Sequence, residues 1–330
     1  MKPLKPLPLL ATLLLAAAPT AFAADKSLLD GVKRIVFLGD SITYAGGYVD
    51  ILEAAFRVGN PDRAVEFINI GLPSETVSGL SEPGHAGGQF PRPTVHERLD
   101  RVLAKAKPDL IVACYGMNCG MYYPLGDERF AKYREGIELL RKKAAAAGAK
   151  VVHLTPPVFD PVPIKARTLP AGLPEYKQPF EGYNTVLDRY SEWLGGQRAQ
   201  GWVVVDTHFP MAKFLATERA RDPAFKLAGD GVHINSTGHW LIAREVLRQF
   251  DAPEDKLAEA KDGAGFIASI HPHGADLLKL VAQRQSVMKD AWLTECGHLR
   301  PGMKKGGPVA DAQAKWTELE QKIAETAKAK

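Results

Sequence analysis

Arg34-Ile35-Val36-Phe37-Leu38-Gly39-Asp40-Ser41-Ile42-Thr43 reads as a covered strand running into a tight turn. Residues 34–38 are almost wholly aliphatic or aromatic, as a strand buried on both faces requires. Gly39 permits the turn, and helical sequence follows soon after. The spacing therefore predicts that Ser41 is presented at the sheet edge where open α/β sheets bind ligands. A serine in that place has two readings, a reacting hydroxyl or a plain cap on the next helix.

Moving outward, the strand signal recurs at residues 65–70, 109–115, 151–155 and 202–206. Between these runs lie helical periods at 49–58, 94–106, 128–147 and 181–197, with a further one at 236–250. Such alternation predicts a parallel five-stranded sheet wrapped by helices. Two connections, residues 71–93 and 156–179, are longer than a compact domain needs and are loaded with Pro and Gly. Each follows the C-terminal end of a strand, so both are expected to wall a ligand site. Strand signals stop after Phe250, and residues 251–330 read as a helical extension, either appended or packed as a hairpin on the sheet domain at 24–250.

The chain has 330 residues, 45% apolar and 24% charged, which excludes a disordered or collagen-like protein. A net charge of +4, with no basic stripe interleaved with aromatics, gives no ground for a nucleic-acid partner. Cys114, Cys119 and Cys296 are too few and odd in number for a disulfide framework, and no CxxC pair offers a zinc site. His271-Pro272-His273 lacks a third ligand, so no metal is assigned. Lys2 and Lys5 precede an apolar run at residues 9–18, and Ala21-Phe22-Ala23 supplies a small-x-small cleavage pattern. A helix over that run rises about 15 Å, half of a hydrocarbon core of roughly 30 Å, so residues 1–23 read as a signal peptide rather than an anchor. The mature chain is expected to be exported, periplasmic or secreted, with no stable membrane insertion.

A serine nucleophile needs a base to take its proton and an acid to hold that base in the useful tautomer. Gly229-Asp230-Gly231-Val232-His233-Ile234-Asn235 offers both in one turn, since a carboxylate three residues before an imidazole can reach its Nδ1 and leave Nε2 for Ser41. His239, six residues on, reads as an ordinary helix histidine. Donors for the oxygen of a tetrahedral intermediate are expected at the ends of the second and third strands. Gly71, after Asn69-Ile70, can offer a backbone N–H, and Asn118, in Gly116-Met117-Asn118, a side-chain amide. With the Ser41 N–H they make three.

The blocks Gly39-Asp40-Ser41, Gly71, Gly116-Met117-Asn118 and Asp230-Gly231-Val232-His233 resemble the SGNH, or GDSL, hydrolase family across residues 33–250. The resemblance implies a flavodoxin-like three-layer α/β/α sandwich, a triad of Ser41, Asp230 and His233, and an oxyanion hole from Ser41, Gly71 and Asn118. It also implies esterase chemistry that needs no cofactor. Asp40 belongs to the motif without being the family's catalytic acid, so it reads as a carboxylate that stabilises the turn. One residue departs from the pattern: the third block usually reads Gly-x-Asn-Asp, and Cys119 stands where the second acid is expected. A thiol is a far weaker hydrogen-bond partner than a carboxylate, so the hold on Asn118 becomes the open question.

Substrate contacts are expected from His85 and Arg92 in the first long loop, and from His298 and Arg300 in the tail. Phe90, Tyr122, Tyr123 and Tyr176 offer flat amphipathic surfaces of the kind that sugars stack upon. The expected activity is hydrolysis of short acyl esters, O-acetyl groups on carbohydrates foremost, with a small-molecule or polysaccharide ester as partner. A lipase or lysophospholipase, or a carbohydrate-binding scaffold without turnover, are the alternatives. Nothing in the sequence sets an oligomeric state.

Overall fold

The computed structural model describes residues 26–329, so the leader read at residues 1–23 lies outside the described residues. Five strands form one sheet: β1 (Arg34–Gly39), β2 (Glu66–Asn69), β3 (Leu110–Cys114), β4 (Lys150–Leu154) and β5 (Val203–Val205). All neighbours are parallel, in the order β2-β1-β3-β4-β5. This is the flavodoxin-like order, with the crossover at β1 and β3 where doubly wound sheets place their ligands. The expected α/β sandwich is what the structure shows.

Strand burial follows from the helices that flank the sheet. Every residue of β3 is buried, and all of β1 but Arg34. The helices of the sheet domain are α1 (Ser41–Ala45), α2 (Gly47–Gly59), α3 (Val95–Ala106), α4 (Asp127–Ala146), α5 (Asn184–Gly196), α6 (His208–Arg221) and α7 (Ser236–Gln249). In α2, Val49, Leu52 and Phe56 recur at helical spacing and are buried. Thr94 caps α3 by accepting the His96 N–H, and Asp127 and Glu128 lie in the first turn of α4, where the helix dipole favours a negative charge.

The helix read at residues 181–197 starts three residues later. Asn184 is held by Phe159, donating to its carbonyl at 2.6 Å and accepting its N–H at 2.9 Å, which fixes the chain where α5 begins. Helix α6 was not anticipated from the sequence. It buries only His208, Met211 and Leu215, too narrow a stripe to stand out from its charged remainder.

Residues beyond 250 form α8 (Glu254–Glu259), α9 (Gly263–Ile270), α10 (Gly274–Cys296) and α11 (Val309–Lys328). α10 pairs with α11 and lies against α2, α3 and the edge strand β2. It carries Arg284 and Gln285 onto Glu53 of α2, where the Arg284 guanidinium pairs with one carboxylate oxygen and Gln285 Nε2 donates to the other at 2.7 Å. Gln285 also donates to the Phe67 carbonyl of β2 at 3.0 Å. A segment that covers an edge strand removes a row of unpaired backbone groups from reach of other chains.

The loop at residues 71–93 is pinned by a buried ion pair. Arg98 donates to both Glu75 oxygens at 2.7 and 2.8 Å and to the Ile70 carbonyl at 2.8 Å, while Tyr115 O–H donates to Glu75 at 2.6 Å. Both charged side chains are fully buried. Burial alone would depress the Arg98 pKa, but the Glu75 charge and hydrogen bonds outweigh it and hold the guanidinium more firmly protonated than usual. Arg98→Met strands a buried carboxylate, and the expected loss is about 3–5 kcal/mol in urea unfolding. Arg98→Met with Glu75→Gln should regain much of it; a single substitution costing less than about 1 kcal/mol would show that the pair does not anchor the loop.

Candidate active site

Ser41 opens α1 directly after β1. Gly39 is required there, because a Cβ would lie 2.1 Å from Thr43 Oγ1 and 2.8 Å from the Cys114 carbonyl. Asp40 is the N-cap, accepting the Ile42 N–H at 2.9 Å. The cap reading of this turn thus falls to Asp40, and the Ser41 hydroxyl is left for other work. Burial raises the Asp40 pKa to about 6, against the lowering pull of the Ile42 N–H. The Ser41 N–H belongs to the first turn and has no intrahelical acceptor.

The segment carrying Asp230 and His233 is shaped locally. An antiparallel bridge joins Ala228 and Ile234, the Asn235 N–H donates to the Leu227 carbonyl at 2.7 Å, and Asn235 caps α7. Gly231 sits in the turn with φ +87, where a side chain would be strained and a Cβ would meet Ile164 at 2.7 Å. Asp230 Oδ1 accepts the N–H groups of Val232 and His233 at 2.9 and 2.8 Å. Its Oδ2 faces His233 Nδ1 at 2.6 Å. Desolvation works against the Asp230 charge, yet these hydrogen bonds prevail and its pKa lies below the usual carboxylate range.

From behind, Asp160 holds the segment in place. It pairs with Arg219, accepts the Leu227 N–H at 3.2 Å, and its own N–H donates to the Gly231 carbonyl at 2.8 Å. The result is that His233 Nε2 lies 2.8 Å from Ser41 Oγ, across 192 residues of sequence. With Nδ1–H donated to Asp230, the hydrogen-bond pattern assigns Nε2 as the acceptor for the serine proton. His239 has no part in this; it is buried in α7, its ring packed against Gly47 and stacked on Tyr48, and burial lowers its pKa to about 4.

Asn118 stands on the wall next to Asp40. Its Nδ2 donates to the Glu75 carbonyl at 3.3 Å and to Asp40 Oδ2 at 3.4 Å, and its Oδ1 accepts the Tyr122 O–H at 2.9 Å. Cys119, the residue in place of the family acid, turns into the core and accepts the Val77 N–H through sulfur at 3.4 Å. It does not hold Asn118. All three cysteines are free and buried.

Gly71 departs from its expected role. Its N–H is already donated to Asn69 Oδ1 at 3.0 Å, so it is not a free donor. What demands glycine is close approach, since a Cβ there would lie 2.4 Å from the Tyr44 nitrogen. Close to it, Ser74 holds φ +68 as the third residue of a turn that the Glu75 N–H closes on the Leu72 carbonyl at 3.1 Å. Pro73 suits the second position of that turn, while the third, occupied by Ser74, more often takes glycine or asparagine.

None of the four expected substrate contacts hydrogen-bonds to Ser41, Asp230 or His233. Arg92 is held by Glu82 through two bonds of 2.7 Å, with its guanidinium over the Tyr122 ring at 5.5 Å. His85 packs edge-on against Phe90, and Arg300 lies over the same ring at 5.2 Å, joining the tail to the loop. His298 is half-buried, and burial with the nearby Arg98 charge lowers its pKa. A cleft of about 620 Å³ lies between the two long loops, lined by Tyr122, Tyr123, Tyr176, Glu82, Glu175 and Lys177 among others. Tyr122 connects it to Asn118. No group of three or more His, Cys, Asp or Glu able to hold a metal occurs among the described residues.

Asp40 carries a pH signature. Its folded pKa of about 6 exceeds the ordinary value of 3.8, so the folded state holds a proton that the unfolded state has released. Stability therefore falls as pH rises from about 4 through 6, by an amount of order 1–3 kcal/mol. Asp40→Asn keeps a cap acceptor and is expected to flatten that fall. Urea unfolding at intervals from about pH 4 to 7 measures it, and slopes equal to wild type would show that Asp40 ionises as it does unfolded.

A family model for GDSL-like lipases and acylhydrolases matches residues 37–241. No curated protein matches the chain in sequence. Among solved structures the chain is similar to a gut microbial diltiazem-metabolizing enzyme, at 20% identity and a TM-score of 0.52, over 66% of this chain and 47% of that one. It thus spans about half the length of that relative. It is also similar to a catalytic mutant of an acetylxylan esterase from Geobacillus stearothermophilus, at 19% identity and a TM-score of 0.50, over 67% of this chain and 95% of that one. At such identities the likeness is one of fold. The family match extends over more than half of the chain and takes in the elements that carry Ser41, Asn118 and His233, so the chain belongs to the GDSL-like lipase/acylhydrolase family and is a carboxylic ester hydrolase.

Proposed function

We propose that this protein hydrolyses short-chain acyl esters, O-acetyl groups on carbohydrates in particular, through an acyl-enzyme on Ser41. The observation that carries the reading is the continuous hydrogen-bond line from Ser41 Oγ to His233 and on to Asp230. Ser41 Oγ attacks the ester carbonyl while His233 Nε2 takes its proton. Asp230 keeps the imidazole oriented and balances the imidazolium charge. The tetrahedral oxyanion is met by the Ser41 N–H and by Asn118 Nδ2. When the C–O bond breaks, His233 returns the proton to the leaving alkoxide, and the acyl group stays on Ser41. Water then adds to the acyl-enzyme with His233 as base, releasing the acid and restoring the serine.

The carbohydrate reading rests on the cleft beside Asn118. Its tyrosine faces and charged rim suit a polar acceptor with flat C–H surfaces. A long acyl chain gains roughly 0.8 kcal/mol per buried CH₂ only against continuous apolar walls, and here Pro83, Met121, Pro174 and Pro179 are interspersed with Glu82, Glu175 and Lys177. A fold neighbour of this chain is an acetylxylan esterase. Export is part of the same proposal, supported by the charged start, apolar run and small-x-small pattern of residues 1–23. Acetylated polysaccharide is met outside the cytoplasm.

Ser41→Ala is expected to lower kcat by roughly three orders of magnitude or more while circular dichroism stays unchanged. A variant that keeps wild-type ester hydrolysis would remove Ser41 from the mechanism. Across acetyl, butyryl and octanoyl esters kcat/KM is expected to fall steeply, with acetylated xylo-oligosaccharides deacetylated. A rise toward octanoyl would overturn the carbohydrate reading in favour of a lipase and leave the triad intact.

A further inference from the structure

We infer that Tyr122 is the positioning residue for Asn118, doing through its hydroxyl what the missing acid at position 119 leaves undone. The inference rests on the proposed role of Asn118 as an oxyanion donor. An asparagine amide helps an oxyanion only if its NH₂ end faces the reacting carbon, and a free amide can flip. Here each end is specified. The Glu75 carbonyl and the Asp40 carboxylate face Nδ2 at 3.3 and 3.4 Å, and both accept, so a flipped amide would place oxygen against oxygen. At the other end, the Tyr122 O–H points into Oδ1 at 2.9 Å.

The two bonds from Nδ2 are long, so its hydrogens remain available to a stronger acceptor such as an oxyanion. The bond from Tyr122 is the short one, and it is the one that fixes the ring of contacts. Cys119, whose sulfur is turned to Val77, contributes nothing to this amide.

Backbone geometry supports a dedicated placement. Met121 and Tyr122 both hold left-handed conformations, φ +56 and +59, and neither is glycine. Strain of this kind is unfavourable and persists where the surroundings over-determine it. It folds the chain after Asn118 back on itself, with the Met121 N–H donating to the Asn118 carbonyl at 3.0 Å, so that Tyr122 returns over the residue four before it. The ring is then held between Phe159, Tyr183 and the Arg92 guanidinium, itself clamped by Glu82. Burial also keeps the phenol protonated well above its ordinary range, which secures it as a donor.

The test is a double-mutant cycle on the full chain with p-nitrophenyl acetate. Tyr122→Phe keeps the ring and removes only the hydroxyl. It is expected to lower kcat roughly tenfold with KM changed less than about twofold, and to shift the thermal midpoint by no more than a few degrees. In an Asn118→Ala background the same substitution should have no further effect, because the amide it orients is gone. The side-chain amide signals of Asn118 in ¹⁵N-labelled protein, sharp in wild type, are expected to broaden or move in Tyr122→Phe. If Asn118→Ala lowers kcat but Tyr122→Phe is harmless, or adds fully to it, the positioning role is overturned and the donor role stands. If Asn118→Ala itself leaves kcat unchanged, the donor reading fails and this inference with it.

Discussion

The buried pair of Glu75 and Arg98 fixes the geometry on which the site depends. Desolvating two charges is expensive, and the cost is offset by a guanidinium fork that fits both carboxylate oxygens, by the Tyr115 O–H on the acid and by the Ile70 carbonyl, although Arg98 Nη1 has no partner among the described residues. An apolar pair of equal volume would pack as well but would not have direction. The fork has direction, and it joins three elements. Ile70 follows β2, Arg98 belongs to α3, and Tyr115 follows β3. Glu75 is thereby set at one place over the sheet edge, and its backbone is used at the same time as its side chain. Its carbonyl accepts from Asn118.

A second constraint acts on the helix that carries Ser41. α1 has five residues, too short to be stable on its own propensity. Its start is capped by Asp40 and its end is held from the C-terminal region. Tyr44 O–H donates to Asp290 at 2.9 Å, and Lys289 Nζ donates to the Tyr44 carbonyl at 2.8 Å while lying 3.9 Å from the centre of its ring. α10 in turn is tied to α2 through Glu53, which also accepts from Arg57, itself paired with Glu320 of α11 at 2.6 Å. Residues 251–329 are therefore not a loose appendage. They close the edge of the sheet and brace the turn in which the reactive hydroxyl sits.

The order of residues along the chain is enough to read the sheet and one half of the catalytic geometry. Short, nearly continuous apolar runs such as residues 35–38 and 110–115 fit doubly covered strands, and their alternation with helical periods leaves a parallel sandwich as the economical solution. The relation of Asp230 to His233 is local, an Asx-type turn over three residues with a glycine inside it, so spacing alone revealed it. What lies across from that turn depends on contacts between segments distant in the chain. Gly71 looked like a donor because a glycine after a strand often is one, but whether its N–H is free depends on Asn69, and its lack of a side chain answers to Tyr44. The left-handed pair Met121–Tyr122 includes no glycine or asparagine to announce it, since its strain is imposed by packing rather than by propensity. Helix α6 escaped for a related reason, its three buried residues being a stripe that only a neighbouring helix makes meaningful. Local chemistry is written in neighbouring residues; the orientation of an amide or the vacancy of a backbone N–H is set by atoms far away along the chain, and it exists only once they have been brought together.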